Sequence, residues 1–361
     1  MQHTNRGFVT AIAVALFITA CTADDDPSAI ETTPPATTPT SADEPSRTPT
    51  ASEPTPTEAP SPTLPPFDPE TASYDVPPGS RPHDVAPAVD GGVWYTAQNA
   101  GALGYLDPAS GETRHIPLGA GSRPHGVIVG PDGDAWITDS GLNAIVRVDA
   151  ESEEVEVFPL PSDRPDANLN TAAFGGDDRL WFTGQNGVYG RFNPASGEMA
   201  VFDAPHGRGP YGITATPDGE IYFASLAGSY VGHIDQASDE VTVLEPPTSG
   251  QGARRVWSDS MGRIWISEWD AGQLGRYDPA TEQWQEWPLP GDDPMAYAVY
   301  VDERDAVWVS DFGGDAIWRF DPVSEEFGEF PSSGQVRQML GRDGELWAPV
   351  SATDTLVVIR Y

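Results

Sequence analysis

The chain has no lysine. All 19 of its basic residues are arginine, they face 55 acidic ones, and the formal net charge is −36. The absence excludes Schiff-base chemistry on a lysine amine. The charge argues against nucleic-acid binding, which needs a basic face for the phosphates, and the acidity reads as a solvated exterior that aids solubility. Cysteine is nearly absent too: Cys21 is the only one. No intrachain disulfide can form, so stability has to come from a packed core. Helical patterning is missing as well. Beyond the N-terminus, apolar runs alternate with polar residues or last only four to six positions, and 37 glycines and 37 prolines break up the rest.

The first 66 residues differ in composition from the rest of the chain. Arg6 precedes an apolar stretch from Phe8 to Thr19, so residues 1–20 read as a signal peptide. The stretch Ile18-Thr19-Ala20-Cys21 resembles a bacterial lipobox. Lipidation would cap the lone thiol, make Cys21 the mature N-terminus, and hold the protein to the membrane by that lipid alone, on the extracytoplasmic side. A transmembrane anchor is the competing reading, but the apolar run falls short of the roughly 20 residues a span needs. Residues 21–66 are Pro, Thr, Ser, Ala and acids with almost no large apolar side chain. They cannot bury enough surface to offset their ordering entropy and read as a disordered, semi-extended spacer. The folded domain is expected over 67–361.

That domain repeats one unit seven times. A short apolar strand is followed by an Asp/Gly turn, an aromatic with hydrophobic or small residues after it, and a Gly-rich stretch. The aromatics are Trp94, Trp136, Trp181, Tyr222, Trp265, Trp308 and Trp347, spaced by 42, 45, 41, 43, 43 and 39 residues. A period near 40 with about four short strands per unit predicts an all-β fold, a seven-bladed β-propeller of four-stranded blades. In four repeats an Asp-Pro or Asn-Pro pair precedes the outer strand: Asp107-Pro108, Asn193-Pro194, Asp278-Pro279 and Asp321-Pro322. The repeated aromatic reads as the apolar plug between neighbouring sheets. The last repeat stops in its third strand, whereas Ser73-Tyr74-Asp75-Val76-Pro77 resembles an outer strand. That segment is expected to complete the last blade and close the ring, which hides the sheet edges.

A ligand site is expected at one mouth of the channel, where first strands begin beside the ends of second strands. Taking the residue eleven before each aromatic and the one three after it gives His83/Ala97, His125/Asp139, Asn170/Gly184, Tyr211/Ser225, Arg254/Glu268, Tyr297/Asp311 and Val336/Val350. The alternative is an ordinary polar lining filled with water. Two adjacent blades begin Arg81-Pro82-His83 and Arg123-Pro124-His125. Histidine is the natural proton shuttle near neutral pH, so His125 and His83 are the catalytic candidates. Asp139 would orient a ring or hold a metal. Arg81 and Arg123 would grip a carboxylate or carbonyl, and Tyr211, Arg254 and Tyr297 complete the ligand-binding set.

The repeats resemble the streptogramin B lyases, the virginiamycin B lyase family. The likeness is carried by Arg123-Pro124-His125-Gly126-Val127 with Pro131-Asp132-Gly133-Asp134-Ala135-Trp136-Ile137-Thr138. It continues in Gly209-Pro210-Tyr211-Gly212-Ile213 and in the stretch Arg263-Ile264-Trp265-Ile266-Ser267-Glu268-Trp269-Asp270, over about residues 73–361. The resemblance implies opening of a cyclic depsipeptide at its ester by elimination. A channel-mouth histidine would be the base and a carboxylate-held magnesium the Lewis acid. Ser267-Glu268-Trp269 resembles the family's metal-binding Thr-Glu-Trp, which makes Glu268 a metal candidate beside Asp139. The departures fall in the same blade. Arg254 stands in place of the base, Gly252 in place of the second metal carboxylate, and Tyr211 in place of a further histidine. Arg254 is expected to pair with Glu268. His83, His125 and Asp139 repeat the family spacing three blades round the ring, but Arg123 stands there where the second carboxylate belongs.

Three functions are compatible with these features. The first is a lipid-anchored monomeric propeller that binds a small-molecule or peptidic ligand at the channel mouth. The second is an enzyme using a divalent cation, Mg2+ or Ca2+: a lyase on the rotated site, or a lactonase or esterase. The third is a protein-interaction scaffold at the cell envelope.

Overall fold

The computed structural model describes residues 69–332 and 334–361, so the signal segment, Cys21 and the whole spacer lie outside it. Seven antiparallel four-stranded sheets form the ring. Six of them use four consecutive strands each, such as Pro82–Pro87, Val93–Ala97, Ala102–Leu106 and Thr113–Pro117 in the first blade. The seventh combines Leu340–Arg342, Glu345–Val350 and Thr355–Arg360 with Glu70–Asp75 on its outer edge. The closing strand is therefore where the sequence puts it, begun three residues earlier and ended at Asp75. Tyr74 lies opposite Leu356, its ring 5.6 Å from that of Trp347. Among the described residues, no helix is long and apolar enough to cross a membrane.

The repeated aromatics are the plugs expected of them. Trp181, Trp265, Trp308 and Trp347 are wholly inaccessible, and the other three are almost so. An indole also needs a partner for its N–H when buried. In three blades a turn carboxylate supplies it: Asp259 accepts from Trp265 Nε1 and Asp302 from Trp308 Nε1, each at 2.9 Å, and Asp132 from Trp136 Nε1 at 3.2 Å, whereas Trp94 and Trp181 Nε1 are buried without one. In blades 2, 5 and 6 the Asp of the turn thus shapes the backbone and anchors the plug that comes after it.

First strands of neighbouring blades pack side by side and line the channel. Each of these strands in blades 1 to 6 has a register shift near its start, between Pro82 and Val85 in blade 1 and between Pro124 and Gly126 in blade 2. A bulge leaves backbone groups off the ladder that need other partners. A hydroxyl two residues after the aromatic meets that need. Thr138 Oγ1 accepts from Gly126 N at 3.0 Å and donates to the carbonyl of Asn170 in the next blade at 2.5 Å. Thr96 repeats the arrangement with Asp84 N and His125 O, Ser267 with Arg255 N and Tyr297 O, and Ser310 with Ala298 N and Val336 O. One side chain thereby satisfies the bulge of its own blade and ties the next one on.

Thr138→Val keeps the shape of the side chain and removes both bonds. The variant is expected to lose about 2 kcal/mol of unfolding free energy, measured by urea denaturation; an unchanged midpoint would show that the hydroxyl does not hold the blades.

Candidate functional site

The bulges set which side chains meet at the mouth. Pro82 lies opposite Ala97, Pro124 opposite Asp139 and Ala253 opposite Glu268. The expected pairs are therefore offset by one residue, and His83, His125 and Arg254 sit inside the bulge. There they turn toward one another. The rings of His83 and His125 are 4.1 Å apart, and Asn170 Nδ2 is 3.4 Å from His125 Nε2. The Tyr211 ring stands edge-on to His125 at 6.3 Å, and its hydroxyl lies 2.6 Å from that of Tyr297. The Arg254 guanidinium sits over Tyr297 at 3.6 Å, Trp269 at 4.5 Å and Tyr211 at 4.6 Å, and its Nη2 donates to the Tyr211 hydroxyl at 3.1 Å.

Blade 7 departs from the spacing rule. Val336 bridges directly to Val350, so its successor Arg337 takes the mouth position, 5.8 Å from the Tyr297 ring. The seventh repeat is one residue shorter at this point, and counting from the aromatic put Val336 in the ring. Asp84 was missed for a related reason. Because a bulge brings two successive residues toward the channel, Asp84 accompanies His83 into the site, its Oδ1 2.7 Å from His83 Nδ1 and 3.3 Å from Arg255 Nη2. Beneath this layer lies a small cavity of about 40 Å3, bordered by Asp84, Arg255 and Gln338 among mostly apolar side chains.

The second-strand carboxylates do other work. Asp139 is fully buried and accepts from the backbone N–H of Arg123, Gly141 and Leu142, each at 2.9 Å, and from the Ser122 hydroxyl at 2.5 Å. Its lone pairs shape a turn, so it neither orients a histidine nor offers itself to a metal. Glu268 points at the third strand, beside Gly275, where an added Cβ would come within 2.4 Å of its Oε1. Gln273 Nε2 donates to Glu268 Oε2 at 2.6 Å, and Oε1 has no partner. Burial pushes its carboxyl up to about 8, with the Gln273 hydrogen bond opposing and the Glu286 charge adding to the rise. The expected ion pair with Arg254 is not among the described contacts; Arg254 is held by aromatic faces instead. Arg81 and Arg123 are exposed at the rim, and what they supply inward is a backbone N–H, to Asp354 Oδ1 and Asp139 Oδ1.

The family's magnesium site does not fit these residues. One oxygen of Glu268 is taken by Gln273, and burial favours its neutral form. At Gly252 φ is +70° and an added Cβ would lie 2.5 Å from the Asp270 carboxylate, so no acidic side chain could stand there without displacing it. His83, Asp84 and His125 do offer ligand atoms within 4.8 Å of one another. Two imidazoles and one carboxylate suit a transition metal better than magnesium. Burial holds both histidines well below their usual range, and the charges of Arg337, Arg255 and Arg254 push His83 down further. The imidazoles are thus neutral and able to ligate, but the guanidiniums oppose a dication.

The model of the virginiamycin B lyase family matches residues 66–319. No curated protein matches the chain in sequence. Solved structures do match in shape. A streptogramin B lyase structure is 22% identical, with 81% of this chain and 97% of that chain covered and a TM-score of 0.74. A catalytically inactive histidine-to-alanine variant of virginiamycin B lyase from Staphylococcus aureus, solved with quinupristin, is 19% identical over 81% of this chain and 100% of that one, at 0.75. The extracellular domain of a protein described as a hybrid two-component system from B. thetaiotaomicron is 14% identical over 80% of this chain and 39% of that one, at 0.65.

Glu268 gives a pH signature. An unfolded glutamic acid ionises near 4.5, whereas the folded one stays protonated to about 8. The unfolded state therefore binds fewer protons across that window, and this group makes stability fall as pH rises through it. Glu268→Gln cannot ionise and keeps an acceptor for Gln273. The variant is expected to match the parent below the lower value and to exceed it by a few kcal/mol at the upper one, read by denaturant unfolding at both ends. A constant difference across the window would show that Glu268 is ionised in the fold.

Proposed function

The chain belongs to the virginiamycin B lyase family, and from that premise we propose that it is an envelope protein whose propeller binds a small or peptidic ligand at the channel mouth without the family's ring-opening chemistry. The observation that carries this reading is the aromatic cage around Arg254. A guanidinium keeps its proton at any physiological pH and cannot serve as a base. The burial of Glu268 and the tight backbone at Gly252 support the loss of the metal as well. What remains is a recessed, polar and aromatic surface fixed to a rigid ring, the kind of place where propellers receive ligands. Placement outside the cytoplasm and anchoring through Cys21 rest on the lipobox-like segment, and the likeness to an extracellular domain is in keeping with the first of these.

A second reading is favoured by the neutral His83 and His125 beside Asp84, a set with a base and candidate metal ligands for a lactonase, an esterase or a rotated lyase.

Full-length protein incubated with quinupristin and magnesium is expected to return it unopened. Chromatography with tandem mass spectrometry is the readout, since elimination leaves the mass unchanged. Ring opening by the parent that disappears in Arg254→Ala would overturn the first reading. Turnover of a lactone or cyclic ester that is lost in His125→Ala and kept in Arg254→Ala would favour the second.

A further inference from the structure

Charge is unevenly placed in this acidic chain. The mouth gathers Arg254, Arg255 and Arg337 around Tyr297 and His83, and all three act on both groups. Burial alone would raise the Tyr297 phenol, yet these guanidiniums outweigh it and bring it down to about 8. Arg255 has Asp84 as its partner. Arg254 differs: its described contacts are tyrosines and Trp269, and its Nε–H is buried without a hydrogen-bond partner. An unpaired donor in a buried setting costs free energy that an arriving acceptor would recover. Around it lies an apolar shelf. Phe312 stacks on Tyr297 at 4.3 Å, Trp269 stands edge-on to Phe312 at 5.4 Å, and Trp269 and Phe312 both keep part of their surface exposed.

We infer that this side of the mouth, formed by blades 5 to 7, recognises a carboxylate borne on an apolar or aromatic body. The free edge of the Arg254 guanidinium meets the two oxygens, and Trp269 and Phe312 carry the body. The planar fork of arginine matches a carboxylate in geometry, and the bond is charge-assisted. The same field that attracts an anion repels a divalent cation, which agrees with the poor fit for magnesium. This inference rests on the ligand-binding reading and gives it a substrate class: an acid such as a peptide C-terminus or an N-acylated amino acid, not a neutral ester.

The test uses full-length protein with 15N-labelled tryptophan indoles, with the Trp269 signal assigned by its loss in Trp269→Phe. N-acetylphenylalanine and its amide are titrated in parallel, then quinupristin. The acid is expected to shift the Trp269 signal saturably and the amide to bind roughly ten- to a hundredfold more weakly, the range set by one charge-assisted hydrogen bond. Arg254→Gln is expected to erase the preference, whereas Arg114→Gln, which alters an exposed pair with Glu153, is expected to keep it. Equal binding of acid and amide by the parent overturns the inference and needs no variant to fold. Quinupristin binding with no response to the acid leaves the ligand-binding reading standing and removes this one. No response to any probe removes both.

Discussion

The ring depends on a hydroxyl that serves two blades at once. The inner strands of blades 1 to 6 are bulged where they enter the channel, which would strand a backbone N–H in a dry interior. Thr96, Thr138, Ser267 and Ser310 accept from that N–H and donate to the neighbouring carbonyl. The bulge and the blade-to-blade bond are therefore one device. It fixes the backbone of the mouth residues while leaving their side chains free to differ, so the same frame presents His125, Asn170 or Tyr297. Blade 4 breaks the rule: Ala224 stands at the hydroxyl position, and the residue it would have tied is Arg254.

Around this frame the chemistry divides into two sides. His83, His125, Asn170 and Asp84 form a hydrogen-bonding half with neutral imidazoles. Arg254, Tyr297, Trp269, Phe312 and Arg337 form a cationic and aromatic half. The second half is where the family's base and metal would lie, and the substitutions there are mutually consistent. With arginine in place of the base, aromatic neighbours are needed to hold it; with a glycine replacing a ligand, the remaining glutamate is left to become neutral. Together they leave a cationic and aromatic surface.

Much of the fold was legible because its causes are local. The 40-residue spacing of Trp94 to Trp347, the Asp/Gly turns and the outer-strand character of the segment at Tyr74 each depend on a few neighbouring residues, and the blade count and the closing strand came from them. The site was legible only to within a residue. Period-two counting cannot see a bulge: in blades 1 to 6 it moves each pair by one position and in blade 1 it hides Asp84 behind His83, whereas the shorter seventh repeat, which lacks the shift, exchanges Val336 for Arg337. The fate of Asp139 and Glu268 was out of reach for a different reason. Whether a carboxylate faces a channel or caps a turn depends on N–H groups that fold into place around it, as Gly141 and Leu142 do around Asp139. One signal was present and unread: the Ser or Thr two positions after the aromatic in blades 1, 2, 3, 5 and 6.

The outer strand of the last blade has a mechanical consequence. Any pull on the chain ahead of residue 69 enters the ring through the six residue pairs between Glu70–Asp75 and Thr355–Arg360. Glu70 lies opposite Arg360, at the end of that ribbon nearest the load. The remaining blades are clasped on both sides and feel the load only after this strand gives way. Protein tethered by its leading end would therefore yield first at the seam of the ring, and the mouth residues of blades 1 and 7, His83 and Arg337, would be the first to part.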